Sequence, residues 1–80
     1  MNLNYRQSVL TALALKAQSD KAEALVSLTI LLDHPAGIGD HSTADLHKNL
    51  NEALSQLSDA DDRLETLRSY FPEIKVFTNG

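Results

Sequence analysis

Asp33, His34, Asp40, His41, Asp45 and His47 fall within fifteen residues and include every histidine of the chain. Imidazole nitrogens and carboxylate oxygens are the ligand types that zinc and other transition metals take. A turn bringing His34 and His41 together, with Asp40 or Asp45 completing the set, would form a mixed nitrogen–oxygen site. The spacing is not that of a known metal motif: a helical His-Glu-x-x-His pair is absent, and no cysteine supplies a thiolate. Each residue also has an ordinary use, since Asp33 can end a helix, Asp40 shape a turn and Asp45 cap the helix that follows. The structural reading is favoured, with metal or small-ligand binding at His34, Asp40, His41 and Asp45 as the alternative, and no cofactor is expected.

The same cluster invites a nucleophile–base reading, because Ser42 and Thr43 lie beside the histidines. Nothing in the chain supplies an oxyanion hole, and a two-helix scaffold has little concavity, so no enzyme is expected. An EF-hand fails because the third and fifth positions after Asp33 are Pro35 and Gly37, which carry no carboxylate. Gly37-Ile38-Gly39 is too short for a phosphate loop and follows a helix rather than a strand.

These residues sit on the link between two long helical patterns. In the second, Leu46, Leu50, Ala53, Leu57, Ala60, Leu64, Leu67 and Phe71 step by 4, 3, 4, 3, 4, 3 and 4 residues. A strip repeating every 3.5 residues must be buried against another helix along its length. The expected helix spans 42–71. Ser42 or Thr43 caps it, Asp45 suits its positive end, and Pro72 stops it.

In the first pattern, Leu3, Leu10, Ala17, Ala24 and Leu31 are seven apart, and Ala14 and Leu28 share their side. Leu13, Leu25 and Leu32 widen the stripe. A helix over 3–33 follows, ending before Pro35. The polar run Gln18-Ser19-Asp20-Lys21 leaves open a break near Ser19, which would give a monomeric three-helix bundle instead. Pro35, Gly37, Ile38 and Gly39 mark the turn over 34–41, short enough to make the flanking helices antiparallel neighbours. The helical hairpin thus occupies 1–71. Residues 72–80 form a tail, expected to pack loosely or be partly disordered, with strand pairing to another chain as the sharper reading of Ile74, Val76 and Phe77.

Two helices enclose no core, and the first carries more apolar surface than one neighbour can cover. Small scaffolds need a disulfide, a metal, oligomerisation or very regular helix packing, and disulfides are excluded by the lack of cysteine. A homodimer of hairpins forming a four-helix bundle is the simplest resolution. The class is therefore all-α. The formal net charge of −4 comes from seven Lys and Arg, all scattered, against eleven Asp and Glu. Phosphate recognition needs clustered cations, so nucleic acid is not an expected partner. Asp59-Ala60-Asp61-Asp62 is read as a solvated face, with docking of a basic protein as the alternative. The longest apolar run, Leu28 to Leu32, is far short of a membrane span, which needs about 20 residues. No signal peptide is read at the N-terminus, and a cytoplasmic location is expected.

The stretch Leu31-Leu32-Asp33-His34-Pro35-Ala36-Gly37-Ile38-Gly39-Asp40-His41, followed by a long helix ending Tyr70-Phe71, resembles a family of small proteins encoded by tailed phages, marine ones included. In that family the turn reads approximately His-Pro-Val-Gly-Ile-Gly-Asp/Glu-His. Ala36 stands where valine is usual, and the likeness covers roughly 24–71. The resemblance implies a helical hairpin and a phage accessory role, and it carries over no activity and no functional residue. The resulting expectation is a non-enzymatic, homodimeric protein that binds another protein, with a virion structural component as a further alternative.

Overall fold

The computed structural model describes residues 4–33 and 43–74. They form two helices, α1 (Asn4–Asp33) and α2 (Thr43–Tyr70), and no strand occurs among them. The turn residues His34, Pro35, Gly37, Ile38, Gly39, Asp40 and His41 lie outside the described residues, as do Leu3, Val76 and Phe77.

The helices run antiparallel. At one end Leu10 and Ala14 of α1 pack with Leu67 of α2. Midway, Lys21 Nζ lies 3.0 Å from Asp61 Oδ1. Toward the linker, Ser27, Ile30 and Leu31 share a shallow hollow with Asn49, Glu52 and Ala53. The result is an elongated rod of 55 × 24 × 17 Å.

α1 is continuous through Gln18-Ser19-Asp20-Lys21, so the alternative of a break near Ser19 and three helices is corrected. The polar run does not interrupt the buried strip, since Ala17 and Ala24 on either side of it are both buried. Its charged members are held as a helix would hold them. Lys16 Nζ donates to Asp20 Oδ1 and Oδ2 at 2.7 and 2.9 Å, four residues on, and Lys21 reaches across to Asp61. Helix α2 has Asp45 in its first turn and Arg68 in its last, which matches the partial charges of its ends.

The core is thin and rich in alanine. The buried apolar residues are Leu10, Ala14, Ala17 and Ala24 from α1, Ala53, Ala60, Leu64 and Leu67 from α2, and Ile74. Five of these nine are alanines, which lets the backbones approach closely but removes little apolar surface from water per residue. Among the described residues, the buried larger side chains gather toward the end of the rod that holds both Leu10 and Leu67.

At that end the chain folds back instead of trailing away. The Phe71 amide donates to the Leu67 carbonyl at 2.8 Å, completing the last helical bond, and the Ile74 amide donates to the Phe71 carbonyl at 3.2 Å. That closes a four-residue turn with Pro72 at its second position, where the fixed φ of proline is favoured. The turn drives Ile74 into the core against Leu10, Ala14 and Leu67, with Phe71 packed alongside. Against the expectation of a loose tail from residue 72, Ile74 is fully buried at 0% exposure.

Candidate functional site

The α2 strip behaves as its spacing requires. Ala53, Ala60, Leu64 and Leu67 are buried, and Leu46, Leu50, Leu57 and Phe71 are half-buried. On α1, Leu10, Ala17 and Ala24 are buried, while Leu28 and Leu31 are half-buried. The two strips cover each other, so the residues predicted as a seam form the inner contact of a single hairpin.

What they leave uncovered is the candidate site. Leu13, Leu25 and Leu32 of α1 and Leu54 of α2 stay exposed, Leu32 by 66%. Tyr5, Val9, Leu15, Val26 and Ile30 of α1 are exposed as well. Three alanines of α1, Ala14, Ala17 and Ala24, thus point inward while most of its large apolar side chains point outward. Helix α2 shows the usual division, with only Leu54 and Tyr70 among its exposed large apolar residues and carboxylates over much of its outer surface. The sequence signal for this was present: a helix apolar on every side is a buried one, and the outer residues of α1 are apolar at both of its ends.

A groove of about 310 Å³ runs beside the inner contact, lined by Leu13, Lys16 and Ala17 on α1 and by Asp62, Arg63, Thr66 and Leu67 on α2. It has an apolar floor and charged lips.

Asp59-Ala60-Asp61-Asp62 is a solvated run around one inward residue. Ala60 is buried, Asp59 Oδ2 lies 3.0 Å from Arg63 Nε in an ion pair, and Asp61 pairs with Lys21. Asp33, Asp45 and His47 are exposed. No group of three metal-ligating side chains occurs among the described residues; His34, Asp40 and His41 lie outside them. No helix of the described residues is long and apolar enough to cross a membrane.

The closed end of the rod carries the most specific polar geometry. Arg6 Nε donates to Glu73 Oε2 at 2.7 Å, and Gln7 Nε2 donates to the Glu73 carbonyl at 3.0 Å. The Arg6 guanidinium carbon lies 5.5 Å from the centroid of the Phe71 ring, within cation–π range. The Arg6 hydrogen bond, aided by one from Glu73's own backbone amide, holds the Glu73 carboxyl below the usual carboxylate range. These contacts clamp the turn after α2 onto the first turns of α1, which is a structural role. Comparison with protein-family models, curated proteins and solved structures gave no match to this chain.

Proposed function

We propose that this chain is a non-enzymatic protein-binding protein that works as a homodimer, two hairpins associating into a four-helix bundle. The observation that supports this most is the inverted sidedness of α1, with Ala14, Ala17 and Ala24 inside and Val9, Leu15, Val26 and Ile30 outside. Several large apolar side chains exposed on one helix of a small protein mark an interaction surface. The alanine-rich core gives the same direction, because a chain of this size gains little from burying alanines and needs a further apolar interface.

In this reading the outer surface of α2, with Glu52, Asp59, Asp62 and Glu65 exposed, remains available in the dimer for a basic partner protein. The likeness of the turn to tailed-phage proteins fits a phage-encoded accessory protein acting in the host cytoplasm. Sedimentation equilibrium at tens of micromolar is the test. The expected species has twice the 8.8 kDa chain mass; a well-behaved monomer throughout that range overturns the reading.

A further inference from the structure

The face of α1 turned away from α2 carries a second heptad line. Tyr5, Val9 and Ala12 lead it, Lys16, Ser19 and Glu23 hold its middle, and Val26 and Ile30 close it, at steps of 4, 3, 4, 3, 4, 3 and 4. All eight residues are exposed. The apolar residues at the two ends of the line, Tyr5, Val9 and Ala12 at one and Val26 and Ile30 at the other, are uncovered packing surface. Its polarity is nearly the same read in either direction, apolar at both ends and polar at the centre.

Resting on the dimer proposed above, we infer that this face is covered by the same face of a second copy, with the two α1 helices antiparallel. The two-fold axis passes between Lys16 and Ser19. In that register Tyr5 of one copy meets Ile30 of the other, Val9 meets Val26, Ala12 meets Glu23 and Lys16 meets Ser19, and the symmetry makes each pairing twice. Apolar residues meet apolar residues at both ends. Lys16 comes within about one helical turn of Glu23 in the other copy. An ammonium has three N–H groups and Asp20 occupies two of those on Lys16, so the third can serve that glutamate.

The parallel alternative places Lys16 against Lys16 and Glu23 against Glu23 near the middle of the contact, and like charges so placed disfavour it. A lipid surface is disfavoured as well. Interfacial helices flank their apolar face with several lysines and arginines, whereas this line holds Lys16 and Glu23 with no net charge. The antiparallel arrangement puts both copies of α1 in the middle of the four-helix assembly and both copies of α2, with their carboxylates, on its two outer sides.

The chain has no cysteine, so one introduced thiol labels one place. Double electron–electron resonance on nitroxide-labelled Ser8→Cys reads the direction of packing. Antiparallel helices in the proposed register separate the two labels by about 30 Å at 1.5 Å per residue, whereas parallel helices hold them at about the interaxial distance of 8–10 Å plus the label arms. Sedimentation of Val26→Asp, with circular dichroism to check folding, reads the face. Val26 is 58% exposed within the hairpin, so helicity is expected to persist while dimerisation weakens about tenfold or more. Glu23→Lys should weaken the dimer, and adding Lys16→Glu should restore it.

A wild-type monomer would remove the dimer itself. A wild-type dimer that Val26→Asp leaves intact would keep the dimer and overturn this face. A short label distance would keep the dimer and overturn its direction. Binding of the chain to phosphatidylglycerol vesicles that Val26→Asp abolishes would assign the face to lipid and overturn the inference.

Discussion

Arg6 and Glu73, 67 positions apart in the chain, meet at 2.7 Å and join the start of the first helix to the turn beyond the second. The bond is charge-assisted and sits over the Phe71 ring. It closes the end of the rod where Leu10, Leu67 and Ile74 fill the core.

The Arg6–Glu73 bond sets a pH dependence. Folding lowers the Glu73 carboxyl below its ordinary range, chiefly through the Arg6 hydrogen bond. The folded state therefore favours the charged form. Its contribution is present above the ordinary carboxylate range and is lost as the pH falls through the lowered value. Following the Glu73 side-chain carbon by NMR across an acid titration should give a depressed midpoint that Arg6→Gln moves upward. An unmoved midpoint would show that the guanidinium does not hold the carboxylate. The effect on overall stability should be small because the pair is solvated.

Ile74→Ala should be among the most damaging substitutions outside the two helices. Ile74 is the largest fully buried side chain described, and truncating a buried isoleucine costs about 2–5 kcal/mol. For a domain of this size each kcal/mol lowers Tm by roughly 4–8 °C. Thermal unfolding followed by circular dichroism should show a drop of about 10 °C or more; a shift of only a degree or two would mean that the turn does not seat in the core.

Ala60→Leu tests the close approach of the helices. Ala60 is 1% exposed and stands on the α2 strip that faces α1, so added methylenes have no space to enter. Overpacking of this kind costs about 1–3 kcal/mol, read as a lower urea midpoint with unchanged helicity. An unchanged midpoint would place a void beside Ala60.

The Lys21–Asp61 bridge crosses the hairpin at 3.0 Å with both side chains substantially solvated. Exposed pairs of this kind couple by about 0.2–1 kcal/mol and are screened by salt. A double-mutant cycle with Lys21→Ala and Asp61→Ala should fall in that range and shrink toward zero at 1 M salt. Coupling of several kcal/mol would show that the pair is buried in solution, as a dimer interface over it would make it.

The helices themselves were legible in the sequence. The α2 strip from Leu46 to Phe71 has a period that only a helix satisfies, and Pro72 sets its limit because proline's ring cannot sit in the next turn. The matching strip of α1, from Leu10 to Leu31, is less obvious because it is largely alanine. Even so, Ala17 and Ala24 keep the seven-residue spacing across the polar run that made a break conceivable, and the helix persists there. The charged cluster of the link was just as visible, and its candidate ligands His34, Asp40 and His41 lie outside the described residues.

Periodicity states which residues share a face, and two faces of α1 have comparable claims to burial. Local pattern therefore determined two helices, their limits and the α2 seam. Tertiary packing decided how much of α1 is covered: the strip with Ala14, Ala17 and Ala24 lies inward, while Leu13, Leu25 and Leu32 beside it and Val9, Val26 and Ile30 stay in solvent, because one neighbouring helix covers one strip. It also decided that Ile74 belongs to the core. That depends on a chain reversal at Pro72 and on Arg6 and Gln7 lying nearby in space, a juxtaposition of opposite ends of the sequence that no local spacing encodes.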